Sequence, residues 1–193
     1  KYYSKKKKLE NNKINLESEC QNIAINALNN NYKKNIGILA GSFYYHDMWT
    51  RDAFISSLGL FSIKKYQPIY DIINTLSNYQ RNDGLIPLRF GKDNYITRFL
   101  FNFDIGKDKP VYFDDKNFSE PTDSNSQYII LNFLYYKFSN DNYFLENNFN
   151  NLKKSLDYML SISKNGLIHG NYFDTWHDTF TINGATLFTN VLF

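Results

Sequence analysis

The feature that most constrains the fold of this chain is an alternation between two kinds of predicted helix. Three segments carry apolar residues at helical spacing on one face only, and they cover roughly residues 13–32, 68–80 and 143–163. Three other segments are apolar nearly all round, and they cover residues 53–63, 128–138 and 185–193. Because a helix that is apolar on every side is buried on every side, this order predicts amphipathic helices outside and apolar helices inside.

The first amphipathic segment gathers its apolar residues on one face: Leu16, Cys20, Ile23, Ala24, Ala27 and Leu28. Cys20 is the single cysteine of the chain, so an internal disulfide is excluded, and its position predicts a buried structural thiol.

Residues 1–12 contain four consecutive lysines with no aromatic residue among them, which favours a solvated basic tail over a nucleic-acid arm.

The connections between the predicted helices alternate in length. They are short after each apolar helix, at 64–67 and 139–142, and long before each one, at roughly 33–50, 81–121 and 164–184. Pro68 suits the first turn of a helix. Antiparallel packing places all the long loops beside the N-termini of the inner helices, which carry partial positive charge and free N–H groups. Long loops in a compact domain are usually functional, so we expect the site at that end.

Composition excludes several classes of protein. The chain has 193 residues, enough for one domain with a real core, and 42% of them are hydrophobic, which excludes a disordered chain. Its net charge is only +3, and no apolar run is long enough for a membrane span. No signal-peptide pattern is visible. We expect a cytoplasmic protein with neither a nucleic acid nor a membrane as its partner.

The segment 44–52 combines aromatic rings with charged side chains at the start of an apolar helix. Trp49, Arg51 and Asp52 belong to it, and aromatic faces beside an Arg–Asp pair suit a sugar pocket. Rings stack on the apolar faces of a pyranose, and charged groups bind its hydroxyls. An ordinary helix start, with Asp52 favoured by the helix macrodipole, explains the motif equally well when it is taken alone.

The second long loop opens with an Asp-Gly turn at Asp83 and ends beside Asp123 and Ser124, two candidates for a helix N-cap. For Asp123, capping and sugar binding both stay open. Arg89 and Arg98 are expected to pair with surface acids. The middle of this loop, 91–118, has the character of an insertion with no assigned role.

The third long loop brings carboxylates close to a tryptophan. Asp174 and Asp178 each stand two residues from Trp176, and a carboxylate in such apolar surroundings suits a general acid, because its pKa is raised. His46, His169 and His177, together with the nearby aspartates, match no metal-ligand spacing. We therefore expect no metal and no other cofactor.

Taken in order, these motifs resemble the six-hairpin glycosidases, whose fold is an (α/α)6 toroid. They look most like the amylo-α-1,6-glucosidase domain of glycogen-debranching enzymes, and more loosely like glucoamylase. The resemblance begins near residue 36, runs to the end of the chain and rests on residues 38–41, 49–56, 83–87, 123, 175–178 and 183–188.

The resemblance implies an inverting hydrolysis of α-glucosidic linkages in glycogen or a related α-glucan or oligosaccharide. In such a reaction one carboxylic acid protonates the leaving oxygen while a second carboxylate activates water. It implies that Asp178 is the general acid. It also implies that five residues bind substrate: Trp49, Arg51, Asp52, Asp123 and Trp176.

The chain also departs from the debranching pattern. Leu88, His177 and residues 46–48 differ from it, which bears on linkage and substrate. Six helices make three hairpins, and the catalytic base of the family, usually a Glu, belongs to the other three. We therefore expect residues 13–193 to form the N-terminal half of an all-α (α/α)6 domain. Half a toroid leaves its inner helices exposed, so the missing half or another partner is expected to cover them.

Other functions stay open at this level. A glycan-binding remnant without catalysis accounts for the same motifs, as does another α/α enzyme such as glucoamylase or trehalase. A purely structural helical scaffold is a third reading.

Overall fold

The computed structural model describes residues 2–42, 45–92, 107–176 and 182–193, with side chains from residue 16 onward. Six helices lie in these ranges: α1 (Tyr2–Asn30), α2 (Thr50–Ser62), α3 (Tyr66–Asn78), α4 (Ser124–Ser139), α5 (Asn142–Ile162) and α6 (Leu187–Leu192). None of these helices combines the length and the apolar character needed to cross a lipid bilayer.

The short strands all lie in the long connections. β1 (Tyr32–Lys33) pairs with β2 (Gly37–Ile38), and β6 (Ser163–Lys164) pairs with β7 (Leu167–Ile168), in two small antiparallel ladders. β3 (Met48–Trp49), β4 (Arg89–Gly91) and β5 (Lys109–Val111) form an antiparallel sheet in the order β3-β4-β5. The prediction of a mainly helical domain is confirmed, although it did not include these strands.

The predicted helices and long connections are confirmed. Apart from the start of α1, which begins at Tyr2, each helix boundary lies within four residues of its predicted position. Pro68 falls in the first turn of α3, where its missing N–H costs no hydrogen bond. The three long connections run over residues 31–49, 79–123 and 163–186.

Helix packing reproduces the predicted layers. α4 packs against α2, α3, α5 and α6, while α3 packs against both α2 and α4. The inner helix α4 therefore adjoins both α2 and α6, while α3 packs on α2 and α4 and α5 packs on α4. The core forms where these layers meet, because α3 turns its whole apolar face inward: Ile69, Ile72, Ile73 and Leu76. Each such side chain contributes about 1.5–3 kcal/mol when fully buried.

The inner helices are not buried on every side, which corrects one prediction. Ile55 of α2 is 60% exposed, Phe133 of α4 is 58% exposed and Leu187 of α6 is 81% exposed. The helices that adjoin them cover their other faces and leave one apolar side of each open. The inner helices therefore present exposed apolar residues, as expected, while the ring itself stays a prediction.

Helix α1 also differs from the prediction. Cys20 is exposed, as are Leu16 and Ile23 on the same face, so the prediction of a buried thiol is wrong. The helix reaches the core through Leu28, near its C-terminal end, where Lys65 also donates a hydrogen bond to the side chain of Asn29. The spacing of the apolar residues predicted the helix correctly, but it does not indicate whether another element covers the apolar face of that helix.

One buried amide ties the second long connection to the helices. Asn125 accepts a hydrogen bond from the backbone N–H of Ile86 at 3.0 Å, and it donates to the carbonyl oxygen of Gly84 at 2.8 Å. It also donates to the hydroxyl of Ser155 on α5 at 2.8 Å. Gly84 has a φ of 102°, and a Cβ atom there would collide with the carbonyl oxygen of Lys154. The turn is therefore packed directly against α5.

We predict that Asn125→Ala lowers the free energy of unfolding by about 3 kcal/mol, because it leaves the amide of Ile86 buried without its acceptor and removes the hydrogen bonds to the carbonyl of Gly84 and the hydroxyl of Ser155. Asn147→Ala, at an exposed position of α5, is the matched control and should change stability by less than about 0.5 kcal/mol. Urea unfolding followed by circular dichroism measures both. Equal stabilities for the two variants would contradict the anchoring role.

Candidate active site

The N-terminal ends of the three inner helices meet. Arg51, in the first turn of α2, contacts Asp123, which precedes α4. The hydroxyl of Thr122 lies 3.4 Å from the hydroxyl of Thr189 in α6. The prediction that the long loops surround these N-termini is confirmed.

The pair between Arg51 and Asp123 is the central contact of this end. The Nε atom of Arg51 donates to Oδ2 of Asp123 at 2.8 Å, and Nη2 donates to Oδ1 at 3.3 Å. Asp123 is fully buried, and Gln127 donates a further hydrogen bond to it at 3.3 Å. The two parallel bonds fix the orientation of the planar guanidinium.

The geometry of Asp123 also separates the two roles that its sequence position left open. Asp123 occupies the N-cap position of α4, but its side chain makes no capping hydrogen bond. Its carboxylate holds Arg51 instead. Two of the five N–H donors of a guanidinium are used in this pair, in the part of the chain that the structure describes.

Trp49 is positioned by the sheet. It ends β3 directly before α2, and its register partner in β4 is Arg89. The guanidinium carbon of Arg89 lies 5.8 Å from the centroid of the Trp49 ring, and Tyr45 meets the same ring edge-on at 6.4 Å. The indole is thus held in place by neighbours on two sides while remaining half-exposed.

The sequence predicts that Arg89 pairs with a surface acid, and this prediction is wrong. Its Nη1 atom donates to Oδ2 of Asp47 at 2.8 Å, and both residues are almost fully buried. A Cβ atom at Gly91 would collide with the Asp47 carboxylate, so glycine there makes room for the pair. The partner of Arg89 is therefore a neighbouring loop residue, and the pair holds β3 against β4. Arg98 lies outside the described residues.

Asp52 lies in the first turn of α2 with an exposed side chain, one residue after Arg51. This position fits the macrodipole explanation, because a carboxylate in the first turn is stabilised by the helix. It also fits a contact with a ligand above the helix end. The geometry is compatible with both roles.

The third long connection is attached beside Asp123. The carboxylate of Asp174 is buried and accepts hydrogen bonds from the hydroxyl of Thr122 at 3.2 Å and the backbone N–H of Asn171 at 2.8 Å. The backbone N–H of Thr122 donates in turn to the carbonyl oxygen of Asp174 at 3.1 Å. Asp174 is therefore an anchor of this loop.

Trp176 and Asp178 follow this anchor. The Trp176 ring is 57% exposed and meets the ring of Phe188 in α6 edge-on at 6.4 Å. Asp178, the predicted general acid, and His177 lie outside the described residues. The structure thus brings Arg51 and Asp123 into contact and attaches the loop of Trp176 to the residue before Asp123.

The sequence analysis did not predict that two buried carboxylates fix the loops at this end of the molecule. They belong to Asp47 and Asp174. Each faces a glycine, Gly91 or Gly170, at which a Cβ atom would collide with the carboxylate. These glycines were the only signal available, and in a sequence they look the same as ordinary turn glycines. Within the described residues, no three His, Cys, Asp or Glu side chains are grouped as a metal site requires.

Comparison with known families identifies the chain. The fold is a mainly helical domain, and charged and aromatic side chains lie together at the N-termini of its inner helices. The family model described as amylo-alpha-1,6-glucosidase matches residues 18–189, and the chain belongs to this family. The resemblance deduced from the motifs is thereby confirmed. A comparison with curated proteins found no match.

We predict that Asp47→Ala lowers the free energy of unfolding by about 3–5 kcal/mol, because the guanidinium of Arg89 stays buried after its carboxylate partner is removed. The double variant Asp47→Ala/Arg89→Met should recover part of this loss. Thermal and urea unfolding measure both variants.

The control for this prediction is Asp157→Ala, which removes an exposed ion pair with Lys153 on α5. Its cost should stay below about 1 kcal/mol, because solvent screens such pairs. A cost for Asp47→Ala no larger than that of the control would show that the buried pair does not hold the sheet.

Proposed function

We propose that this chain carries the glucose-binding site and the general acid of an inverting glycoside hydrolase that acts on α-glucosidic linkages of glycogen or related α-glucans, with α-1,6 branch points as its targets. The observation that carries the proposal is the Arg51–Asp123 pair at the meeting point of the inner-helix N-termini. Membership of the amylo-alpha-1,6-glucosidase family supports the same conclusion.

The described residues suit a neutral sugar. The ring of Trp49 offers an apolar face for a pyranose, and Arg51 and Asp52 offer a donor and an acceptor for its hydroxyls. Asp123 acts mainly through Arg51, because its carboxylate orients the guanidinium and balances its charge. Trp176, on the loop anchored next to Asp123, supplies a second aromatic wall.

The general acid in this proposal is Asp178. It lies two residues beyond Trp176 in the sequence, at the position that the resemblance gives to the general acid, whose role is to donate a proton to the leaving oxygen. Inversion further requires a second carboxylate roughly 6.5–9.5 Å away, with room for the attacking water. We assign that base to no residue of this chain.

The predicted test is release of glucose from a limit dextrin by a protein that contains this chain together with the helices that supply the base. We expect Asp178→Asn to lower kcat by at least about a hundredfold, because general acid catalysis contributes about 10²–10⁴ to the rate. Binding of maltotriose, followed by calorimetry, should remain near that of the unchanged chain. Asp115→Asn, which alters an exposed acid of another loop, is the control for the loss of one carboxylate.

Three outcomes separate the competing functions. Unchanged turnover in Asp178→Asn would refute the assignment of the acid. Maltotriose binding without glucose release by the protein that also contains the base would favour a glycan-binding role without catalysis. If Arg51→Ala leaves the response of the Trp49 indole signal to maltotriose unchanged, the Arg51–Asp123 pair serves only to join two helices, and the scaffold reading stands.

The exposed apolar sides of α2, α4 and α6 support a second part of the proposal. We propose that the remaining helices of an (α/α)6 toroid cover Ile55, Phe133 and Leu187, because exposed apolar surface of this kind marks an interface. Such helices would also be the natural place for the catalytic base.

We predict that the chain by itself associates through this surface. Sedimentation velocity at rising concentration should show species heavier than a monomer, and the double variant Ile55→Glu/Val191→Glu should shift them to the monomer. Leu16→Glu/Ile23→Glu on α1 is the matched control, since it adds the same charges to exposed apolar positions elsewhere. A monomer at all concentrations would contradict the proposed interface.

A further inference from the structure

A second cleft lies apart from the residues assigned to glucose binding. Its volume is about 710 Å³, and its walls come from residues 113–122, the C-terminal part of α5 and the third long connection. None of Trp49, Arg51, Asp52, Asp123 or Trp176 lines it. Thr122 does line it, so the cleft reaches the residue next to Asp123 without including the Arg51–Asp123 pair.

A rigid carboxylate lies in this cleft. Glu120 accepts a hydrogen bond from the hydroxyl of Tyr158 at 2.6 Å, and its other oxygen pairs with Nη1 of Arg81 at 2.6 Å. Arg81 is held in turn by two bonds to Asp83. Burial raises the pKa of Tyr158, and its hydrogen bond to Glu120 raises it further, so the phenol keeps its proton and donates. Both carboxylate oxygens are therefore fixed in place, and each retains acceptor capacity.

An aromatic ring at the edge of the cleft is held in solvent by its backbone. Phe118 is 78% exposed and has a φ of 54°, which is an unfavourable conformation for a bulky residue. The turn around it is fixed by hydrogen bonds from Phe118 N–H to the Asp114 carbonyl and from Asp114 N–H to the Ser119 carbonyl, both at 2.9 Å. Strained residues of this kind concentrate at ligand sites.

Exposure of this ring forgoes a stabilising contribution. Burial of a phenylalanine ring stabilises a fold, and the turn keeps Phe118 in solvent without that contribution. Phe113 also lines the cleft and is partly exposed. The two rings offer apolar faces on the same cleft that holds the Glu120 carboxylate.

The remaining polar groups suit hydroxyls better than a charged ligand. Asn117 and Asn171 line the cleft, and a side-chain amide both donates and accepts hydrogen bonds. His169 and Lys164 add donors, while Glu120 already shares its charge with Arg81. Aromatic faces combined with amides and a fixed carboxylate are the chemistry that recognises a neutral pyranose.

We propose that this cleft is a second carbohydrate-binding site, which holds a short segment of α-glucan close to the glucose site. That the ligand is an α-glucan rests on the proposed function, whereas the presence of a sugar site rests on the residues of the cleft itself. Phe118 is the residue on which a sugar ring stacks, and Glu120, Asn117 and Asn171 bind its hydroxyls.

The test is titration of the ¹⁵N-labelled chain with maltotriose, followed through the side-chain amide signals of Asn117 and Asn171. We expect these signals to shift in the unchanged chain and in Arg51→Ala with the same affinity. Phe118→Ala should weaken that affinity by at least about tenfold, since it removes the stacking surface. Phe149→Ala, at an exposed phenylalanine of α5, is the matched control and should change nothing.

A second variant separates loss of the Phe118 ring from a change in the conformation of the turn. Phe118→Gly removes the ring and suits the positive φ, so it should show the same loss of affinity with an intact fold. Amide signals that do not move with maltotriose, or that titrate in both Phe118 variants with the affinity of the unchanged chain, would overturn the proposal. So would their loss in Arg51→Ala. Absence of glucose release by the protein that also contains the base, with these shifts retained, would count against the hydrolase and leave the second site standing.

Discussion

An ion pair between Arg51 and Asp123 joins the first turns of two inner helices, and the loop-rich end of the molecule is organised around it. The residues beside Asp123 extend the connection. Thr122 holds the third long loop through Asp174, and Asn125 holds the second through Ile86 and Gly84. Three residues within a stretch of four thus connect α2, the second long loop and the third long loop.

Burial makes these connections strong. A charge removed from water must be paired, and a buried amide must be satisfied, because the loss of either partner costs several times more than the loss of an exposed contact. Asp47 and Arg89 apply the same rule to the sheet that carries Trp49. A sugar site benefits from this rigidity, since weak contacts to hydroxyls add up only when the groups that make them are held in place.

The main elements were predictable because their signals are local. Helical spacing placed α3 correctly down to its buried face, and Pro68 marked its first turn. Loop lengths then placed the site at the N-termini of the inner helices, since antiparallel packing leaves no other arrangement. Cys20 and Arg89 were predicted wrongly for one shared reason. Whether a face is covered, and which acid an arginine meets, depends on residues distant in the chain.

By itself the sequence determined the helices, their two layers, the end at which the long loops lie and the family, because periodicity and short motifs are properties of neighbouring residues. Only the tertiary structure decided that Asp123 holds Arg51 and makes no cap, that Asp174 is an anchor, and that Phe118 stands in solvent beside Glu120. The contacts of Asp123 and Asp174 join segments tens of residues apart, and burial selects among partners that the sequence leaves equivalent.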